Sequence, residues 1–124
     1  MMNSNHEDQI RGLVEDWAAA VRAKDMEGAV AHHADDMVMF DVPLPLLSRG
    51  LNEYRKTWEL FFASNRGGPG SFEVTDLQIA ASDSVAFCHG LLKIFDSTAR
   101  LTMGLRRERG RWLVAHEHHS YPLE

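Results

Sequence analysis

The chain predicts an α+β fold, with three N-terminal helices laid on a mostly antiparallel sheet. Three observations carry this. Apart from a short strand at 36–42, the hydrophobic period is helical up to residue 64, and it is alternating from Ser71 onward. The alternating segments are joined by turns of two or three residues, which suit antiparallel neighbours. A sheet of that size must bury one face, and the helices upstream are what is available to cover it. With 124 residues there is room for one core, so residues 1–124 are expected to form one domain.

Taken in order, Ser4 and Glu7 match a capping box, and Ile10, Leu13, Val14, Trp17 and Val21 recur at helical spacing, giving a helix over 5–23. Asp25 reads as the N-cap of a short second helix, 26–34, with Met26, Ala29, Val30 and His33 inward. A strand follows over 36–42, with Met37, Met39 and Asp41 on one face, and Pro43 and Pro45 end it. Gly50 opens a third helix, 50–64, whose stripe is Leu51, Tyr54, Trp58, Phe61 and Phe62. Gly67-Gly-Pro-Gly70 breaks it; the run lacks the Lys-Ser/Thr of a phosphate loop and reads as a turn. Strands are expected at 71–81, 85–95, 99–108 and 111–120.

Leu101, Met103 and Leu105 alternate with Arg100, Thr102, Gly104 and Arg106, so the apolar set should face the helices. The strand before it is apolar on both sides, with Val85, Phe87, His89 and Leu91 on one parity and Ala86, Cys88 and Leu92 on the other. That points to a covered outer face, such as a homodimer with Trp112 and Val114 in the interface. In the last strand strict alternation puts Leu113, Ala115, Glu117 and His119 on one face and Trp112, Val114, His116 and His118 on the other.

The net charge of −5 argues against a nucleic-acid or anionic-membrane partner, since phosphate binding needs clustered cations. The arginines at 106, 107, 109 and 111 do cluster, but around a turn, where a solvated hairpin tip explains them. A single cysteine excludes an internal disulfide and fits a reducing compartment. Neither a signal-peptide run nor a spanning segment is present, so a cytoplasmic location is expected.

Two stretches carry a resemblance. Lys24-Asp25-Met-Glu-Gly28 followed by Ala34-Asp-Asp-Met-Val-Met-Phe-Asp41 resembles the ketosteroid isomerases. Glu108 to Pro122, with Gly-Arg-Trp and then His-x-His-x-Ser, resembles the association domain of calcium/calmodulin-dependent protein kinase II, and is similar to SnoaL-like polyketide-cyclase-related domains. All belong to the nuclear transport factor 2-like (NTF2-like) superfamily, of cystatin-like fold. The resemblance implies a cone-shaped α+β barrel, an apolar pocket between sheet and helices, and a dimer across the outer sheet face. The isomerases' general base falls on Asp41. Their two oxyanion donors, a Tyr and a protonated Asp, fall on Trp17 and Met103, an indole and a thioether, so steroid isomerase activity is not expected. The kinase domain's pocket arginines fall on His89, Met103 and His119.

The candidate catalytic residues are therefore Asp41, His89 and His119. A carboxylate on an apolar strand suits a general base, and an imidazole can polarise an oxygen. Glu117 and His119 could form a carboxylate-oriented imidazole at the pocket mouth. Trp17, Tyr54, Trp58, Phe62, Met103 and Glu117 are the candidate ligand contacts. His116 and His118 invite a metal reading, but no third ligand is placed, and a structural role on the outer face is preferred; no metal or cofactor is expected. Ser120 lacks a triad setting, and Asp25 is read as a cap rather than a catalyst. Two function classes stay open. One is a cofactor-free acid/base enzyme (isomerase, dehydratase or cyclase-like) acting on a small apolar carbonyl or hydroxyl compound. The other is a non-catalytic module that binds a small hydrophobic molecule or dimerises.

Overall fold

The computed structural model describes residues 2–123, with side chains from Asn5 onward. The described elements are helices α1 (Met2–Arg22), α2 (Met26–Val30) and α3 (Gly50–Ser64). The strands are β1 (His33–Phe40), β2 (Ser48–Arg49), β3 (Glu73–Ala81), β4 (Val85–Ile94), β5 (Ser97–Glu108) and β6 (Arg111–Ser120). The strands form one sheet in the order β2-β1-β6-β5-β4-β3. β1 runs parallel to β6 and every other pair is antiparallel. The fold is α+β as expected, but β2 and β3 are free edges, so the sheet is not closed into a barrel. No described helix is long and apolar enough to cross a membrane.

The helical stripe of α1 is buried as its spacing requires: Ile10, Val14, Trp17 and Val21 are all shielded from solvent. α1 already starts at Met2, upstream of the expected cap, and the Ser4 side chain of the capping box lies outside the described residues. Its C-terminus is closed by a later loop. The Gly68 N–H donates to the Arg22 carbonyl at 2.9 Å, and a Cβ on Gly67 would come within 2.8 Å of that same oxygen, so the loop needs glycine there. Asp25 caps α2 by accepting from the Gly28 N–H at 3.2 Å.

α2 is shorter than its pattern suggested. Ala31 leaves the helical region (φ −57°, ψ 147°), His32 follows with a left-handed backbone (φ 65°), and the chain enters β1 at His33. This turns His33 from a helix residue into a buried strand residue. β2, only two residues long, carries no alternation by which sequence could reveal it.

Two irregularities fix which side chains face the helices. In β6, Val114 pairs with Leu105 and His116 with Gly104, leaving Ala115 as an extra residue. This bulge inverts the alternation: Trp112 and Val114 before it and Glu117 and His119 after it all point inward. The expected division of β6 is corrected accordingly, and so is the expected place of Trp112 and Val114, which are core residues 5% and 0% exposed rather than interface residues. In β1 the register also slips between His33 and Val38, so His33 and Ala34 are buried, Asp35 and Asp36 are exposed, and Met37 and Met39 are buried again.

The core lies between the sheet and the helices. The Trp17 ring meets Phe72 edge-on at 5.0 Å and Trp58 at 6.1 Å between centroids. Met37, Met39, Leu101 and Met103 supply its sheet side. Large aromatic side chains dominate such a core because each buries the most apolar area.

Candidate functional site

β1, β6 and α3 converge on one buried carboxylate. Glu117, on β6, is fully buried. Its Oε2 accepts from the Tyr54 hydroxyl at 2.5 Å and from His33 Nε2–H, and its Oε1 accepts from His119 Nε2–H at 3.1 Å. The Tyr54 oxygen in turn accepts from the Trp17 indole N–H at 3.0 Å. On its other side, His119 Nδ1–H donates to Asp41 Oδ1 at 3.2 Å. A continuous chain thus runs from Asp41 through His119 to Glu117 and on to His33, Tyr54 and Trp17. The bulge in β6 matters here, because without it Glu117 and His119 would face away from Trp112 and Val114 and out of the core.

The charges follow from the partners. Burial pulls the His119 imidazole down, but the hydrogen bonds to Asp41 and Glu117 and their negative charge more than offset this and lift its pKa to about 9. Burial pushes the Glu117 carboxyl up, yet the His33 charge and the hydrogen bonds from His119 and His33 outweigh it and bring it to about 2. Tyr54 is raised well above the usual phenol range, by burial first and then by the adjacent Glu117 charge, so it keeps its proton and serves as a donor. His119, with each ring nitrogen facing a carboxylate, is an imidazolium at neutral pH. Burial lifts the Cys88 thiol to about 11, so it acts as a core residue rather than a nucleophile.

Asp41 and His119 form part of the wall of a cavity of about 390 Å³ between the sheet and α3. That volume is in the range of small-molecule sites. The deep wall is apolar: Trp58, Phe72, Leu92 and Ala99 are each at most 3% exposed. Both hydrogen bonds that Asp41 accepts, from His119 and from the Val42 N–H at 2.8 Å, go to Oδ1, so Oδ2 has no partner among the described residues. The arrangement offers a carboxylate oxygen and an imidazolium N–H side by side at one end of an apolar hollow.

The structure brings together Asp41, His119 and Trp58 at this cavity. It places the other candidates elsewhere. His89 is on the exposed face of β4, paired with Thr102 and stacked on Phe87, on the side away from the cavity. The expectation of a pocket role for His89 is corrected: its strand neighbour Cys88 takes the inward position opposite Met103. Trp17, Tyr54, Met103 and Glu117 are buried behind the cavity wall rather than lining it. Phe62 packs flat on Trp58 at 5.8 Å, and Phe61 takes the wall position instead. Trp58 Nε1 is buried without a hydrogen bond among the described residues. His116 and His118 flank Phe40 on the outer face, and His116 Nδ1–H donates to the Val38 carbonyl at 2.8 Å. The residue that sequence reasoning missed is His33; the signal was the Met37/Met39 alternation, which could have been extended backward across Asp35 and Asp36 by allowing an irregularity.

Residues 10–124 match the SnoaL-like domain family. Among solved structures, an NTF2-like protein of unknown function from Pseudomonas putida KT2440 is 36% identical, over 98% of this chain and 89% of that one, with a TM-score of 0.88. A candidate dehydratase of the NTF2-like family from Streptomyces avermitilis is 16% identical, over 98% and 99%, with a TM-score of 0.80. A candidate ketosteroid isomerase from Parabacteroides distasonis is 20% identical, over 91% and 85%, with a TM-score of 0.69. No curated protein matches the chain in sequence.

Proposed function

The chain belongs to the SnoaL-like domain family, and on that premise we propose that it is a cofactor-free acid/base enzyme acting on a small apolar carbonyl or hydroxyl compound, by an isomerase, dehydratase or cyclase type of proton transfer. The observation that carries this is the Asp41–His119–Glu117 chain ending in the wall of an apolar cavity. Asp41 Oδ2 takes a proton from the carbon next to a carbonyl. The His119 Nδ1–H turns from Asp41 to the substrate oxygen and stabilises the charge that develops there; one such donor is typically worth about 3 kcal/mol. In a dehydration the same proton goes to the departing hydroxyl. Glu117 touches no substrate: it holds the imidazolium in place and keeps it charged.

A ketosteroid isomerase in the strict sense is not proposed. The positions of that family's oxyanion donors carry Trp17 and Met103, both buried away from the cavity wall. Names among the structural neighbours, one a candidate dehydratase and one a candidate isomerase, support the reaction class only as an analogy of fold.

The experiment is deuterium wash-in at the α-carbon of small methyl ketones, followed by NMR in heavy water. Wild-type protein should accelerate the exchange, and Asp41→Asn should lose at least about a hundredfold of that rate. Exchange no faster than in buffer, or unchanged in Asp41→Asn, would rule the mechanism out.

A second reading, a binding and dimerisation module, is favoured by the outer sheet face. There Phe40, Val85, Phe87 and Leu91 are 37–60% exposed, more apolar surface than a solvated face needs. We propose that two copies pair through this face, with His89 and His118 beside those residues. Sedimentation should give a dimer that Phe87→Lys converts to a monomer; a wild-type monomer at all concentrations would contradict it.

A further inference from the structure

The cavity has a depth axis that its side chains mark. Its floor is the buried set already described, next to His119. Toward solvent the same wall continues into Val42, Leu44, Leu60 and Tyr121, which are 54%, 92%, 75% and 40% exposed. Exposed leucines at this density are costly unless something apolar covers them. Three of the four wall hydroxyls are engaged: Thr57 and Ser64 donate to carbonyls of their own helix, Glu53 O and Leu60 O, and the Tyr121 hydroxyl is engaged with Ser97 Oγ at 3.0 Å; the fourth is on Ser48, a residue 5% exposed. The charged side chains of the wall are Asp41 and His119.

The charge at the Asp41–His119 end selects the ligand's head. Each ring N–H of His119 already faces a carboxylate, Asp41 on one side and Glu117 on the other. A ligand carboxylate reaching His119 would be a third anion on one cation, pressed against Asp41 in an apolar hollow, where like charges repel strongly. A neutral carbonyl or hydroxyl oxygen accepts the Nδ1–H without that repulsion.

We propose, resting on the acid/base reading above, that the substrate is an elongated neutral amphiphile: an uncharged carbonyl or hydroxyl head at Asp41 and His119, and an apolar body that runs along the cavity and out over Leu44 and Leu60. Free fatty acids and other carboxylates of the same length are rejected.

The test is equilibrium binding of unbranched methyl ketones, from butanone to dodecanone, and of carboxylic acids of matching length. Tryptophan fluorescence near neutral pH is the readout, since Trp58 sits in the cavity wall. Affinity for the ketones should rise about fourfold per added methylene. In Leu44→Ser/Leu60→Ser the short ketones should bind as before, while the longest lose about tenfold. Acids should bind about tenfold or more weaker than ketones, and Asp41→Asn should restore much of that difference by removing the competing anion. Acids binding as tightly as ketones to the wild type would overturn the choice of head. A rim variant with an unchanged chain-length dependence, or no ketone binding at all, would overturn the elongated body. None of these readouts needs turnover, so a failure of proton exchange would remove the catalytic reading while leaving this one to stand or fall by itself.

Discussion

β6 carries three histidines within four residues, and its two faces treat them differently. His119 points inward, 7% exposed, between two carboxylates and stacked on the Trp17 ring. His118 points outward into solvent, edge-on to Phe40, and His116 bonds a backbone carbonyl at the same face. The residue type is identical and the chain separation trivial. What differs is a buried anion: Glu117 stands behind His119, and among the described residues nothing comparable stands behind His118. An imidazole acquires a fixed charge only where desolvation is outweighed by a partner that cannot itself escape to water.

The strongest way to break that contrast is to remove the anion. Glu117→Ala leaves His33, Tyr54 and His119 as buried donors without their acceptor, and it should cost on the order of 3–5 kcal/mol in a urea unfolding titration. A cost below about 1 kcal/mol would mean that the carboxylate is not the hub.

A milder probe is pH. His119 is raised from 6.5 to about 9, so its contribution to stability is complete below pH 6.5 and is lost as pH rises toward 9. Glu117 is lowered from 4.5 to about 2, so its contribution is complete above pH 4.5 and is lost as pH falls toward 2. Stability should therefore form a plateau between pH 4.5 and 6.5, with an alkaline fall on the order of 3 kcal/mol from this source. The two flanks report the same contact and do not add. A stability that climbs from pH 6.5 to 9 would contradict the scheme.

The smallest effect is expected outside. His118→Ala should change unfolding free energy by no more than about 0.5 kcal/mol and leave the pH plateau in place. A larger loss would show that the outer histidine is also anchored.

The same strand shows how far sequence carries. Alternation over β5 placed Leu101, Met103 and Leu105 inward correctly because that strand is regular there, and the helical stripes of α1 and α3 needed only spacing. Asp41 and His119 were each legible as a candidate catalytic residue, and both are at the cavity. Alternation could not cross the bulge at Ala115, since one inserted residue flips every later side chain. It therefore put Trp112 and Val114 on the face opposite Glu117 and His119. His89 was misplaced for a related reason: β4 is apolar on both parities, so only its register with β5, Cys88 opposite Met103, decides which side is inward. His33 was hidden by a helix signal that the turn at Ala31 and His32 cuts short. Tyr54 and Glu117 read as pocket wall, whereas their hydrogen bonds to each other draw both behind it.

Whether Glu117 and Asp41 together hold His119 as a cation at the cavity wall is read directly by a titration of the His119 ring nitrogens by ¹⁵N NMR. Both nitrogens should stay protonated through neutral pH, with a midpoint near the raised value of about 9. A midpoint at or below the ordinary imidazole value of 6.5 would contradict this.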